Sequence, residues 1–462
     1  MGELHTLDAS DLLATIDREG EKFGVYDAAD PRDYRRPVGE IRRRRGRLAD
    51  GDESGMRDVA LVERDGVLLW VFSDPELDGR GAGARRRRAR RAAAGVDVEG
   101  NVLRELSVPV LGQNEYLAAL AETDKHLNDD CNLGLRVVEK DGERFAATGK
   151  RLEKKYAGRT LLLVHGTFSS STNTLAEYES TGPGRAFLND ALTAYGGQVL
   201  VFDHPTLSVS PFLNAIDLAR ALAGTEGGLD VIAHSRGGVV VRWWLDVLGD
   251  SLAGADVRAV LVGSPLRGTS LAAPGRIHSL VNVLANIGTF ISKPLRIAAA
   301  TNPYTLASMA LLKFLVKREA NRWGVPPGNL GKRPDLDAAV AVIPGLQGQS
   351  GVENNYELIR LFASPKRANV EYFAITAEFE PERIGWKLWK AITEFRSRGI
   401  DAVADKIFPG KNDLVVDTAS MSYLDKGRKI RDVHDFGAQA EVHHCSYFRQ
   451  PDTIAALRKW LD

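Results

Sequence analysis
Leu229-Asp-Val-Ile-Ala-His-Ser-Arg-Gly-Gly-Val-Val-Val-Arg242 decides how the rest of the chain is read. Leu229, Val231 and Ile232 make an apolar run suited to a buried strand, and Ala233-His234-Ser235-Arg236-Gly237 follows it directly. A second apolar run, from Val239 through Leu245, then reads as a helix. Strand, tight turn carrying a serine, then helix is the context required of a G-x-S-x-G nucleophile elbow. The turn lifts the serine hydroxyl clear of the sheet, and its neighbours must be small because two backbones pass close together. Ala233 brings one methyl group there and Gly237 brings none. The element implies that Ser235 is a nucleophile.

Working outward, short apolar runs at 160–164, 198–202, 257–262 and 370–376 read as further strands. The first three, like 229–233, lack polar alternation, as strands buried on both faces should. The gaps between them are long enough for crossover helices. This alternation predicts an α/β fold with a mostly parallel central sheet. Between about 270 and 360 the rhythm breaks. Residues 278–292 and 305–317 carry Leu280, Val283, Leu284 and Ile287, then Leu306, Met309, Leu312 and Leu315, at helical spacing. That pattern predicts inserted helices packed on the body.

Residues 1–155 differ in character and are expected to form an extra β-rich or mixed domain, ahead of the main domain at 156–462. Arg42 to Arg45 with Arg47, and Arg85 to Arg88 with Arg90 and Arg91, are charge blocks. Acids such as Asp50, Asp52, Glu53 and Asp78 lie near them, and no aromatic interleaving accompanies them, so they read as solvated loops rather than a nucleic-acid surface. Hairpins are expected at Asp65-Gly66 and Asp141-Gly142, between apolar runs.

A nucleophilic serine needs a base and waiting donors for the oxyanion. His165-Gly166-Thr167 closes the strand at 160–164, and Gly263-Ser264-Pro265-Leu266-Arg267-Gly268-Thr269 follows the strand at 257–262. With the elbow, these segments resemble the α/β-hydrolase superfamily on its lipase and esterase side, over roughly residues 158–462. Ala233 stands where the elbow pattern has its first glycine, as in several lipase groups. The resemblance implies oxyanion donors in the amides of Arg236 and Thr167, with His165 and His234 structural. It equally implies that the inserted helices form a cap over the serine, lining an acyl pocket. It also implies the chain order serine, acid, histidine. Pro409-Gly-Lys-Asn-Asp413-Leu-Val-Val-Asp417 resembles the lipase acid loop, which makes Asp413 the acid, with Asp417 and more remotely Glu378 and Glu380 as alternatives. Val442-His443-His444-Cys445 precedes the last helical run and favours His444 as base, then His443, then His434. Cys445 lacks an elbow and reads as a packed thiol.

The implied activity is carboxylic-ester hydrolysis through an acyl-enzyme, on a small-molecule or lipid ester, with no metal or organic cofactor. Transfer of the acyl group to another acceptor, thioester cleavage and a non-catalytic scaffold are the alternatives. Composition fits: 44% of the 462 residues are hydrophobic, enough for a large core. Basic and acidic residues total 61 each, which gives no electrostatic case for nucleic acid. Two cysteines, Cys131 and Cys445, make no disulfide framework. No secretory signal is visible at the start and no stretch is apolar enough to span a membrane, so a cytoplasmic location is expected.

Overall fold
The computed structural model describes residues 26–27, 56–64, 67–72, 101–109, 133–149, 158–223, 227–249, 255–272, 343–352, 355–364, 370–379, 411–425, 428–439 and 441–462, with five positions between 120 and 128. The two arginine blocks and the apolar stripes of the expected cap lie outside these residues.

The chain divides into two compact units. One comprises Met1–Ala119, Val281–Leu330 and Trp386–Ala404. Its described part is a four-stranded antiparallel sheet of β1 (Tyr26–Asp27), β2 (Met56–Arg64), β3 (Val67–Phe72) and β4 (Asn101–Pro109), in the order β1-β4-β2-β3. Arg64 pairs with Val67, so β2 and β3 are the hairpin expected at Asp65-Gly66.

The other unit comprises Leu120–Leu280, Gly331–Gly385 and Asp405–Asp462. Its eight-stranded sheet contains β5 (Gly134–Asp141), β6 (Arg144–Thr148), β7 (Thr160–Val164), β8 (Val199–Asp203), β9 (Leu229–His234), β10 (Val257–Val262), β11 (Val370–Phe379) and β12 (Ile430–Gln439). The order is β12-β11-β10-β9-β7-β8-β5-β6. Strands β7 to β12 are mutually parallel, whereas the β5–β6 hairpin runs antiparallel onto β8 with Leu135 opposite Phe202. The sheet thus starts upstream of the boundary at 156 that composition suggests, because this hairpin extends the same hydrogen-bonded ladder.

Strand β7 shows why these runs lack polar alternation. Leu162 and Val164 join the core on one face, with α3 (Pro211–Ala221) and α4 (Arg236–Trp243). Leu161 and Leu163 join the core on the other, with α1 (Ser171–Glu179), α2 (Gly182–Ala194) and α5 (Pro451–Leu461). Each such side chain contributes about 1.5–3 kcal/mol through burial. Helix α4 continues into a π-helical turn, Trp244–Leu248, where Arg242 meets Asp246 at 2.7 Å and Asp425 at 3.0 Å. Tyr372 of β11 donates to the same Asp246 at 2.9 Å, pinning the helix behind the elbow to the sheet.

Strand β12 is the one strand of this sheet that has no apolar run. It lies at the edge, bonded to β11 alone among the described strands, and alternates exposed Arg431, Val433 and Asp435 with partly buried Ile430, Asp432, His434 and Phe436. An edge strand half in water carries no hydrophobic signature of the kind β7 does.

From β7 the chain moves outward to β8, then returns past β7 to β9. Ligands in open α/β sheets bind at such a reversal, outside the carboxyl ends of the strands. The carboxyl ends of β7 and β9 carry His165-Gly166-Thr167 and Ser235.

Candidate active site
Ser235 lies between β9 and α4 with φ 54° and ψ −127°. A non-glycine residue holds that conformation only where its surroundings over-determine it, at a cost of about 1–3 kcal/mol. Here its N–H donates to the Val262 carbonyl at 2.9 Å, and its own carbonyl accepts from Gly238 at 3.0 Å. Gly237 is required for close approach: a Cβ there would lie 2.6 Å from the Val164 carbonyl oxygen and 2.7 Å from that of His165. Gly166 faces the serine so closely that a Cβ would lie 2.8 Å from Ser235 Cβ and 3.3 Å from Oγ. The loop after β7 therefore abuts the hydroxyl.

The Ser235 hydroxyl is 2.8 Å from His444 Nε2, and His444 Nδ1 is 2.8 Å from Asp413 Oδ2. With Nδ1–H donated to the carboxylate, Nε2 carries the lone pair and accepts the hydroxyl. All three residues are buried, Asp413 completely. Asp413 Oδ1 accepts the N–H groups of Val415 at 3.1 Å and Val416 at 2.8 Å, while Oδ2 also accepts the Tyr447 hydroxyl at 2.9 Å. Burial pushes this carboxyl up, but the adjacent His444 and these backbone donors outweigh it and hold Asp413 below the usual carboxylate range. The His444 N–H donates to the Asp413 carbonyl at 3.0 Å, which locks the two loops together.

The other candidates go elsewhere. His434 is on edge strand β12, against Phe436. Asp417 Oδ2 accepts the Ser270 N–H at 3.1 Å, and Glu378 pairs with Lys411. Glu380 lies outside the described residues. His443 Nδ1 accepts from the Cys445 N–H at 3.3 Å, and burial pushes its pKa down to about 4. His234 donates through Nε2 to the His444 carbonyl at 2.8 Å; burial lowers it to about 3, so it is a neutral brace. His165 donates from Nδ1 to the Gly166 carbonyl and accepts the His204 N–H, with the two rings stacked 4.1 Å apart. Burial likewise keeps His165 neutral, against the pull of Asp203. The Arg236 side chain turns under the elbow to the Val209 carbonyl at 2.7 Å, which leaves only its backbone amide for the serine side. Among the described residues no group of three His, Cys, Asp or Glu side chains is placed to hold a metal, and no helix is long and apolar enough to cross a membrane.

Tyr447 carries no mark in the sequence, because its donation to an aspartate 34 residues earlier leaves no local pattern. Glu177 of α1 also faces the His444 loop. Burial pushes its carboxyl up to about 8, against the opposing Arg449. A carboxyl whose folded pKa exceeds its unfolded value stabilises fully below the unfolded value, near 4.5, and that stability is lost as pH rises toward 8. Glu177→Gln is therefore expected to flatten the fall in Tm between pH 5 and 8 and to be more stable than wild type at pH 8, by on the order of a few kcal/mol at most. Parallel Tm–pH curves for the two proteins would rule this out.

Parallel strands, an elbow serine at the topological switch and a histidine–aspartate pair from later loops define the α/β-hydrolase fold. The chain belongs to the family described as "Domain of unknown function (DUF7379)", whose model matches residues 136–328 and 336–462. No curated protein matches the sequence. Among solved structures, the chain is similar to the mature lipase BlEst2 of Bacillus licheniformis, 13% identical over 67% of this chain and 95% of that one, with TM-score 0.32. Lipase 1 of Pelosinus fermentans is 14% identical, covering 64% and 98%, with TM-score 0.36. The Cif epoxide hydrolase of Acinetobacter nosocomialis is 12% identical, covering 76% and 97%, with TM-score 0.37.

Proposed function
We propose that the protein is a serine hydrolase of carboxylic esters, related in mechanism to lipases and esterases. The observation that carries this is the line from Ser235 Oγ to His444 Nε2 and from Nδ1 to Asp413, with 2.8 Å at each step. In the acylation step Ser235 Oγ attacks the ester carbonyl as His444 takes its proton, and Asp413 stabilises the imidazolium. The negative charge collects on the former carbonyl oxygen. The Arg236 amide, at the start of α4 where backbone N–H groups have no partner within the helix, and the Thr167 amide beside Gly166 are assigned to receive it. His444 returns the proton to the leaving alcohol, and a water activated by the same imidazole then releases the acid.

Labelling by a fluorophosphonate tests the reading. Wild type is expected to be modified and Ser235→Ala to remain unlabelled. Equal labelling of both proteins would remove Ser235 from the mechanism. A chain-length series of nitrophenyl esters then reads the acyl preference.

A further inference from the structure
The loop that abuts Ser235 contains a second strained residue. Phe168 has φ 55°, in the left-handed region that bulky side chains rarely adopt and that persists only under outside constraint. Two side chains from distant parts of the chain supply that constraint, one on each side of the Thr167–Phe168 peptide. The Phe168 N–H donates to Thr206 Oγ1 at 3.3 Å, and the Thr167 hydroxyl donates to Gln349 Oε1 at 2.9 Å.

Both anchors are themselves fixed. Thr206 is fully buried; its N–H donates to Asp124 Oδ1 at 2.6 Å and its hydroxyl to the same oxygen at 3.2 Å. The Asp124 carboxylate also accepts the N–H groups of Leu207 and Ser208 and the Ser208 hydroxyl, so the whole turn after β8 is wound around it. Gln349 donates through Nε2 to the Gly345 carbonyl at 2.7 Å, and its own carbonyl accepts the Thr269 N–H at 2.8 Å. None of these residues is hydrogen-bonded to Ser235, His444 or Asp413, and Asp124 lies upstream of the segment that the family model matches.

An oxyanion donor is effective only if it already points where charge will develop, because then nothing reorganises during the reaction. We propose that Thr206 and Gln349 are positioning residues that hold the Thr167 amide toward the oxyanion, with Asp124 fixing Thr206. The inference rests on the serine-hydrolase reading above. Neither side chain touches substrate; both act through the backbone of residues 167 and 168.

The test uses the full chain carrying Thr206→Val, Gln349→Leu or both, with competent serines titrated by fluorophosphonate so that rates are per active site. For a nitrophenyl ester, kcat is expected to fall about tenfold or more in each variant, short of the roughly 10²–10³ seen when an oxyanion donor is removed outright. KM should stay within about twofold of wild type. The inhibition constant of an alkyl boronic acid, whose serine adduct is tetrahedral and anionic, should rise by the same factor as kcat falls. A loss of folded protein lowers the titrated fraction and leaves both quantities unchanged. Thr206→Ser keeps the hydroxyl and is expected to restore wild-type values. Wild-type kcat per site and boronate affinity in both Thr206→Val and Gln349→Leu would overturn the inference while leaving the hydrolase reading intact. Failure of the probe to label wild type would overturn both.

Discussion

His444→Ala is expected to lower kcat for an activated ester by about 10⁶, and adding Ser235→Ala is expected to cost almost nothing more, since the members of a Ser-His-Asp triad act as one unit. A serine hydroxyl is a weak nucleophile at neutral pH, and among the described residues the basic group hydrogen-bonded to it is the His444 Nε2 lone pair at 2.8 Å. Without that acceptor, attack would have to generate an alkoxide or release a proton within a site shielded from water, since Ser235 is only 4% exposed. His443→Ala is the matched control. Its ring accepts from the Cys445 amide and is driven toward the neutral form by burial, so its loss is expected to cost less than about tenfold through packing alone. Pre-steady-state acylation rates for the two variants decide the matter. A mild His444→Ala beside a crippled His443→Ala would reverse the assignment.

The parts of this fold that were legible in the sequence are those whose signal is local. Strands β7 to β10 are short, mostly apolar runs because both faces are buried, interrupted only where Asp230 of β9 pairs with Arg258 of β10, and the elbow is marked by Ala233, Ser235 and Gly237 within five residues. Strand β12 was illegible because an edge strand has one partner and a wet face. The site divides in the same way. Chain order and loop context singled out Ser235, Asp413 and His444, which the structure joins by hydrogen bonds, but adjacent histidines at 443 and 444 differ only in which way each ring points. The same holds for Asp413 and Asp417, four residues apart on one loop, one facing His444 and the other the Ser270 amide. Tyr447, Thr206 and Gln349 have no sequence signature, since the groups they orient lie 34, 38 and 182 residues away.

The aspartate pair yields the second large effect. Asp413→Asn is expected to reduce kcat by about 10⁴, through the tautomer of His444 rather than through lost charge alone. The amide has a defined orientation in this site. Two backbone N–H groups, those of Val415 and Val416, point at the Oδ1 position, so the asparagine oxygen must take that place and its NH₂ must face His444. Two donors cannot share one hydrogen bond, so Nδ1 is forced to become the acceptor and the ring proton moves to Nε2. The Tyr447 hydroxyl, which donates to Oδ2 in the wild type, can rotate to accept from the new NH₂ and so reinforces this arrangement. Nε2–H then confronts the Ser235 hydroxyl as a donor, and the base is lost although every heavy atom stays in place. Asp417→Asn retains an oxygen for the Ser270 amide and is expected to keep kcat within a few-fold of wild type. Measured kcat on a nitrophenyl ester, with the imidazole ring N–H resonances of each variant read by NMR, separates the two accounts. An Asp413→Asn enzyme that keeps its Nδ1–H signal and most of its rate would show that Asp413 is not the group that fixes the ring.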